Sequence, residues 1–321
     1  MLYHIYGGDT IRIGFIGPGK VGVNLGRYFT HKGIDLSGFY GRDIENTMNA
    51  ANVTKSKFYK NIQEIIKESD ILFITTPDDI ISTIDSELSK FDLNSKSICH
   101  TSGSLKSNVL CNAKHSGAFI YSIHPIFAFS NKNMNLNELE KIYFSIEGDI
   151  FDNSMVLKLF EVIGNNFFER DEKTSSIYHL ANVFISNLTL SLLEIGISYF
   201  KILGLSEKEA LKAVKPLING NIDNIFSSGF VNSLTGPVLR GDINTIEKHL
   251  SVINDEDKDI YNLLSLNLLK LVALKNSEGL RIEEKEQGNT IAFTNNESIL
   301  KSLLKNSEKH LEIYKVLGGI E

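Results

Sequence analysis

The sequence predicts an α/β fold in which a doubly wound parallel sheet comes first and an all-helical domain follows. Up to about residue 170, short apolar runs alternate with amphipathic segments, which is typical of strand–helix–strand units around a parallel sheet. From Thr174 onward the apolar pattern has the period of helices. The length of 321 residues is sufficient for two domains, each with its own core.

Five apolar runs are predicted to be strands, and two more could extend the sheet. The five are Ile11–Ile16, Ile34–Tyr40, Ile71–Thr75, Ser97–His100 and Phe119–Ser122, and the other two are Lys141–Ile146 and Asn166–Glu169. The connecting helices are predicted over Val21–Lys32, Ile44–Val53, Ile62–Glu68, Asp79–Leu88 and Ser104–Cys111. We expect right-handed crossovers, as is normal between parallel strands.

The second half of the chain is predicted to contain helices only. Ser206 followed by Glu209 is a capping-box pattern that marks the start of one of them. The predicted helices are Ser175–Leu203, Ser206 to about Ile218, Asp242–Ile253, Lys258–Lys275 and Ser298–Leu317. We therefore assign residues 1–172 to the first domain and residues 173–321 to a helical second domain.

Composition excludes several classes of function. The formal net charge is −6, whereas nucleic-acid binding needs clustered Lys and Arg. The chain has no run of about 18 consecutive apolar residues, so we predict no membrane span. Its first ten residues do not have the pattern of a signal peptide, and the two cysteines, Cys99 and Cys111, are too few for a disulfide framework. We expect a cytoplasmic protein with reduced thiols, one of them buried in a strand, and no metal site.

A glycine-rich turn joins the first predicted strand to the first predicted helix. In a Rossmann fold the three glycines of this turn allow a tight bend, close approach of a pyrophosphate, and close packing of the helix on the strand. Amides at the helix N-terminus then bind the phosphates. The predicted phosphate site comprises Gly17, Pro18, Gly19, Lys20, Val21 and Gly22.

The end of the second strand indicates which nucleotide is bound. NAD enzymes usually have Asp or Glu there, whereas this chain has Gly41 followed by Arg42. An arginine suits a 2′-phosphate, so we predict NADP (as NADPH), while Asp43 leaves NAD possible. Thr76 and Pro77 end a later strand and are expected to border the cofactor, with a simple helix start as the alternative.

Polar residues follow two further strands. His100 and Ser102 come after one of them and His124 comes after the next. The carboxyl ends of parallel strands meet at one edge of the sheet, where a nicotinamide would lie. A histidine there could transfer the proton that reduction of a carbonyl requires. A structural role in holding the loops is the alternative for both histidines.

Two other segments offer candidate substrate ligands. His179, Asn182 and Ser186 share one face at the start of the long helix, where contacts between helices are the alternative to substrate binding. Arg240, in a turn-rich segment before a helix, is a candidate ligand for a substrate carboxylate, with a surface ion pair as the alternative.

The order of these motifs resembles a family of bacterial NADP oxidoreductases that have a Rossmann-like domain and a helical C-terminal domain of unknown function. The motifs are G-P-G-K-V-G from Gly17, H-T-S-G from His100, S-I-H-P from Ser122, Y-H-x-x-N from Tyr178 and L-T-G-P-x-x-R-G-D from Leu234. The resemblance covers about residues 11–275. It implies relatedness to pyrroline-5-carboxylate reductase, 3-hydroxyisobutyrate dehydrogenase and the ketopantoate reductases. It also implies a small-molecule substrate and a homodimer formed through the helical domain.

In the hydroxyacid dehydrogenase relatives, a K-x-x-N pair supplies the acid/base lysine and a substrate-binding asparagine. This chain has His179 and Asn182 in the matching places, so the asparagine carries over and the lysine does not. We predict NADPH-dependent reduction of a small 2-oxo acid to a 2-hydroxy acid, ketopantoate (2-dehydropantoate) being the first candidate. His179 would donate the proton, Asn182 and Ser102 would orient the carbonyl, and Arg240 would hold the carboxylate. A cyclic imine acid reductase of the pyrroline-5-carboxylate reductase type and a non-catalytic NADP-binding sensor are the alternatives.

Overall fold

The computed structural model describes residues 11–276 and 295–318, and its contacts divide the chain into two compact units. The division lies between Thr189 and Leu190, whereas the sequence places the boundary between residues 172 and 173. The two positions differ because residues after 172 still contact the sheet. The segment Met1–Thr10, predicted not to be a signal peptide, lies outside the described residues.

The N-terminal unit contains an eight-stranded sheet. Its strands are β1 (Arg12–Ile16), β2 (Asp35–Tyr40), β3 (Lys57–Tyr59), β4 (Ile71–Ile74), β5 (Ser97–His100), β6 (Phe119–Pro125), β7 (Phe144–Gly148) and β8 (Phe167–Glu169). Their order in the sheet is β3-β2-β1-β4-β5-β6-β7-β8. All neighbouring strands are parallel except β6 and β7. The predicted doubly wound α/β class is confirmed.

The sequence missed two features of this sheet. The three-residue strand β3 is too short to stand out as an apolar run. Strand β7 runs antiparallel to β6 because the connection between them contains only the four-residue helix Leu136–Leu139. A parallel return would need a longer crossover, usually through a helix that spans the sheet.

Seven helices accompany the sheet between residues 11 and 172 of this unit. They are α1 (Lys20–His31), α2 (Ile44–Thr54), α3 (Ile62–Glu68), α4 (Asp78–Leu88), α5 (Cys111–His115), α6 (Leu136–Leu139) and α7 (Met155–Ile163). The helix predicted over Ser104–Cys111 is wrong, because a 3₁₀ turn occupies Ser107–Leu110 and α5 begins only at Cys111. Before that turn, the Ser102 hydroxyl accepts the backbone N–H groups of Ser104 and Leu105, which holds the segment as a loop.

Two apolar cores lie on opposite faces of the sheet. On one face, α1 and α7 pack over the rings of Phe15, Phe39 and Phe73, with Phe15 stacked 5.1 Å from Phe39 and 5.6 Å from Phe73. On the other face, α3 and α4 pack through residues such as Ile65 and Ile81. Because both faces are covered, the register of the strands is fixed. Strands β1 to β6 run parallel, so their carboxyl ends lie at one edge of the sheet. Cys99 is buried in β5, as predicted, and Cys111 is exposed; both are free thiols.

A long helical stretch leads out of the N-terminal unit. It consists of α8 (Ser175–Val183), a π-helical turn (Phe184–Leu188) and α9 (Thr189–Ile202). The segment Glu172–Ile202 is long and apolar enough to cross a membrane by length and composition, with a mean hydropathy of 1.6 and 6% of its apolar window buried. The sequence predicted no span because Asn182, Ser186 and Asn187 interrupt the apolar run.

The rest of the helical unit packs around its own core. Its helices are α10 (Glu207–Ser233), α11 (Pro237–Arg240), α12 (Ile243–Val252), α13 (Asp255–Asn276), α14 (Asn295–Asn306) and α15 (Glu308–Val316). The capping box at Ser206 and Glu209 is confirmed, although α10 runs well beyond Ile218. The buried side chains Ile246, Leu269 and Ile313 lie in one cluster.

Candidate functional site

The glycine loop between β1 and α1 is tied to the two neighbouring strands. Gly17 has a φ of +107°, a conformation that favours glycine. Its N–H donates to the Tyr40 carbonyl at 2.8 Å, and its carbonyl accepts the Thr75 hydroxyl at 2.7 Å. The ends of β2 and β4 therefore hold the loop in place.

The other two glycines allow close approach in different ways. A Cβ on Gly22 would lie 2.4 Å from Thr75 Oγ1. Helix α1 can therefore pack this closely against the end of β4 only because residue 22 has no side chain. A Cβ on Gly19 would lie 3.4 Å from the Thr75 carbonyl, which is an ordinary contact. The first turn of α1, at Lys20, Val21 and Gly22, carries amides that have no carbonyl one turn earlier to bond. These amides fit an anion such as a pyrophosphate.

The turn after β4 borders the same loop. The buried Thr76 Oγ1 has no hydrogen-bond partner among residues 11–276 and 295–318, so it is free to bond a ligand. Pro77 is exposed and precedes the first residue of α4, which also fits the simpler role of a helix start. The loop amides and this hydroxyl together suit a dinucleotide.

The end of β2 has no space for an acidic side chain. A Cβ on Gly41 would lie 2.7 Å from Pro18 Cδ and 2.8 Å from Thr47 Oγ1. Arg42 is exposed and belongs to none of the ion pairs of the described chain. Asp43 caps α2, where its Oδ1 accepts the Asn46 N–H at 3.0 Å. Asp43, whose carboxylate left NAD possible in the sequence analysis, therefore has a structural role as a helix cap.

His100 holds the loop that follows β5. Its ring is fully buried, its Nδ1 accepts the Ser102 N–H at 3.2 Å, and its Nε2 lies 3.1 Å from the Lys106 carbonyl. Burial lowers the pKa of His100 to about 4. Because its own loop uses both ring nitrogens, His100 has the structural role that the sequence left open.

Ser102 connects the ends of β4 and β5. Its hydroxyl donates to Asp78 Oδ2 at 2.7 Å, and the Ser104 hydroxyl donates to the same oxygen at 2.7 Å. Asp78 is the first residue of α4, directly after the cofactor turn. Ser102 therefore shares its hydroxyl with Asp78 and its own loop, and it is not free to orient a carbonyl.

His124, at the end of β6, pairs with a residue that sequence reasoning did not select. Its Nδ1 lies 2.5 Å from the hydroxyl of Tyr178, and the two rings meet edge to face at 5.6 Å. On the other side of the imidazole, a Cβ on Gly103 would come within 2.9 Å of Nε2. Burial, and then the charge of Arg170, lower the pKa of His124 to about 4. The imidazole is therefore neutral at physiological pH.

Arg170 is a buried cation beneath this pair. Its guanidinium lies 4.7 Å from the centre of the Tyr178 ring. It donates to three serine hydroxyls, from Nε to Ser145 at 3.0 Å, from Nη1 to Ser175 at 2.5 Å and from Nη2 to Ser122 at 3.1 Å. Within the described ranges no carboxylate pairs with it. Burial raises the pKa of Tyr178, and the Arg170 charge opposes that rise.

The remaining predicted residues lie elsewhere. His179 is exposed, the Asn182 amide donates to the Tyr178 carbonyl at 2.8 Å, and the Ser186 hydroxyl donates to the Asn182 carbonyl at 2.6 Å. Arg240 belongs to the helical unit, where it lies 3.7 Å from Asp242, the cap of α12. The contact with Asp242 is the surface ion pair that the sequence left as an alternative.

Sequence reasoning missed Tyr178, Arg170 and Asp78 as members of the site. Tyr178 adjoins His179 in the same motif, but only tertiary contacts show which of the two side chains meets His124. Arg170 directly follows the short strand β8, and a lone cation in a sequence carries no sign that it will be buried.

Two family models match this chain. Residues 8–125 match a Rossmann-like domain, and residues 142–268 match a domain of unknown function, DUF2520. The chain combines a Rossmann-like domain with a DUF2520 domain. The DUF2520 match includes Arg170 and Tyr178 within the N-terminal unit. No curated protein matches the chain.

Solved structures share the fold. This chain is 29% identical to protein TM1727 from Thermotoga maritima, with a TM-score of 0.64 over 82% of this chain and 99% of that one. A candidate NADP oxidoreductase from Bacteroides fragilis is 20% identical, with a TM-score of 0.64 over 80% and 97%. A pyrroline-5-carboxylate reductase from Coxiella burnetii is 12% identical, with a TM-score of 0.54 over 83% and 95%. The resemblance found in the sequence, a Rossmann-like domain followed by a domain of unknown function, is confirmed.

Proposed function

We propose that this protein is an NADPH-dependent reductase of small 2-oxo acids, with ketopantoate as the first candidate substrate. The observation that carries the proposal is the Tyr178–His124 pair above the buried Arg170. His124 ends β6 at the same edge of the sheet as the glycine loop and the turn after β4. In an open parallel sheet, ligands bind along this edge.

Tyr178 is the proton donor in this proposal. NADPH, when bound, supplies the hydride that goes to the carbonyl carbon. The phenolic O–H gives its proton to the carbonyl oxygen, so that C=O becomes CH–OH. The neutral His124, with its proton on Nδ1, donates a hydrogen bond to the phenolate that remains, and the positive charge of Arg170 stabilises the same oxygen. Tyr178 thus takes the role that the sequence gave to His179.

The charge of Arg170 favours a carbonyl over an imine. Reduction of a ketone builds negative charge on oxygen, and a 2-oxo acid also carries a carboxylate. A nearby buried cation stabilises both charges. A protonated cyclic imine carries a positive charge, which Arg170 would repel. The cyclic imine acid is therefore the second candidate, although pyrroline-5-carboxylate reductase shares the fold.

Two features support NADP as the cofactor. A side chain at Gly41 has no space, so the usual carboxylate partner of an NAD ribose is missing. Arg42, which forms no ion pair within residues 11–276 and 295–318, follows directly. The structural neighbour from Bacteroides fragilis is described as a candidate NADP oxidoreductase.

The direct test is a panel of 2-oxo acids, including ketopantoate, and of cyclic imine acids. Each substrate is supplied with NADPH or NADH, and oxidation of the cofactor is followed optically. We expect turnover of 2-oxo acids with NADPH, and faster turnover than with cyclic imines. Preference for the imines would contradict the carbonyl assignment. Tight NADPH binding without turnover of any substrate would favour the non-catalytic sensor.

We also propose that two copies associate through the helical unit in the cytoplasm. Several apolar side chains of this unit are more than half exposed, among them Leu190, Leu217, Phe226 and Phe230. Exposed apolar side chains in this number support contact with a partner. Sedimentation velocity should give a dimer for the wild type and a monomer for Phe226→Asp, while Val53→Asp on α2 stays dimeric. A chain that requires detergent to remain in solution would contradict this assembly.

A further inference from the structure

The loop after β6 brings a lysine to the nucleotide end of the N-terminal unit. The Lys132 ammonium donates to Asn46 Oδ1 on the first turn of α2. This turn follows directly after Arg42 and Asp43. The loop that carries Lys132 thus contacts the start of α2, although Lys132 and Asn46 are 86 residues apart in the sequence.

The loop is fixed to the helix that carries the phosphate site. The side chain of Asn24 on α1 is fully buried, donates to the Asn131 carbonyl at 2.7 Å and accepts the Met134 N–H at 2.9 Å. Arg27, also on α1, donates to the Met134 carbonyl at 3.0 Å. Because these bonds lie on both sides of Lys132, the position of its backbone is set relative to α1.

The charge of Lys132 is not neutralised by its partner. Asn46 offers a neutral amide oxygen, and neither Lys132 nor Arg42 takes part in an ion pair in the described part of the chain. The neighbouring carboxylate, Asp43, accepts the Asn46 N–H as a helix cap. Two cations, Arg42 by its place in the sequence and Lys132 by its contact with Asn46, therefore lie at the start of α2 and favour a ligand with a dianionic group.

We propose that Lys132 is a specificity residue that binds the 2′-phosphate of NADPH together with Arg42. The inference rests on the proposed function, because it assumes that the glycine loop holds the pyrophosphate of the same nucleotide. The guanidinium of Arg42 offers a planar pair of donors, and the ammonium of Lys132 adds a compact charge with two further N–H donors. NADH lacks the 2′-phosphate, so neither cation should affect its binding in this way.

The test compares binding of NADPH and NADH to the intact protein by titration of cofactor fluorescence. Lys132→Gln should weaken NADPH binding about tenfold, the loss typical of one charge-assisted hydrogen bond, and NADH binding by less than about twofold. Lys132→Arg should retain most of the preference for NADPH. Lys90→Gln is the matched control, since this exposed lysine follows the far end of α4. Equal thermal midpoints for all variants would show that folding is unchanged.

The outcomes separate this inference from the function on which it rests. If wild-type protein binds NADPH no better than NADH, the NADP assignment fails and the role of Lys132 fails with it. If wild-type protein prefers NADPH and Lys132→Gln keeps the full preference, only the role of Lys132 is overturned. An equal loss for both cofactors would likewise overturn it, because Lys132 would then act on the shape of the site.

Discussion

The Tyr178 hydroxyl and His124 Nδ1 lie 2.5 Å apart, which joins the start of helix α8 to the end of strand β6. The pair is enclosed by Gly103 on the imidazole side and by Arg170 beneath the phenol ring. A phenol in contact with a neutral imidazole and a buried cation can lose its proton in a reaction and remain stabilised. This arrangement fits the proton-donor role proposed for Tyr178.

Tyr178→Phe should lower kcat by about 100-fold or more, the usual loss when a general acid is removed. The ring remains to pack over Arg170, so the thermal midpoint should change little. Tyr143→Phe, at a half-exposed tyrosine, is the control and should retain full activity. Steady-state rates on the best 2-oxo acid provide the measurement. Unchanged turnover in Tyr178→Phe, together with loss of turnover in His179→Ala, would indicate that His179 is the proton donor.

Arg170→Met should change both the chemistry and the titration of its neighbour. Loss of the positive charge should raise the pKa of His124 from about 4, although burial, the larger cause, remains. Turnover of 2-oxo acids should fall about tenfold or more, while turnover of any cyclic imine falls less. The pKa is measured from the imidazole signals in an NMR titration. Arg170→Lys keeps a positive charge, so its turnover of 2-oxo acids should lie between those of the wild type and Arg170→Met. Equal losses of turnover for ketones and imines would contradict the electrostatic argument.

The kcat of the wild-type enzyme should be independent of pH between about 5 and about 9. His124 remains neutral above its pKa of about 4, and burial holds the Tyr178 pKa above its ordinary value of 10.0, so the donor stays protonated. A pH–rate profile at saturating NADPH and substrate measures this. A single ionisation centred near neutrality would point to a different donor.

Acid should destabilise the protein partly through His100. Its pKa is about 4 in the folded state and near 6.5 when unfolded, so between these values the unfolded chain binds more protons. The contribution of His100 is therefore complete above about pH 6.5 and is lost as the pH falls towards 4. Between about pH 7 and about pH 4 the wild type should lose roughly 3 kcal/mol more unfolding free energy than His100→Gln. Urea unfolding of both proteins at the two pH values checks this. Equal losses of unfolding free energy in the wild type and His100→Gln would show that His100 does not contribute.

Two alanine substitutions in the glycine loop should have different effects. Gly22→Ala places a methyl group 2.4 Å from Thr75 Oγ1 and should destabilise the fold, by about 1–3 kcal/mol for an overpacked site. Gly19→Ala meets only an ordinary contact at 3.4 Å and should leave the thermal midpoint nearly unchanged while weakening NADPH binding. Thermal unfolding and cofactor titration of each variant separate the two effects. Similar loss of stability in both would show that Gly19 serves packing alone.

The sequence by itself determined the elements that depend on local pattern. The apolar runs predicted seven of the eight strands, because most strands of a sheet that is covered on both faces are rich in apolar residues. The glycine spacing predicted the loop between β1 and α1, and Gly41 with Arg42 indicated the nucleotide. The capping box at Ser206 was readable because both of its hydrogen bonds link residues three apart.

Tertiary structure alone decided which polar side chains meet. His124 and Tyr178 are 54 residues apart, and a choice between Tyr178 and His179 depends on which face of α8 packs on the sheet. Burial decided that His100 holds a loop and that Arg170 lies under a phenol without a carboxylate partner in the described chain. Such relationships depend on the path of the chain through space, whereas sequence patterns report only the local period and the nearest neighbours.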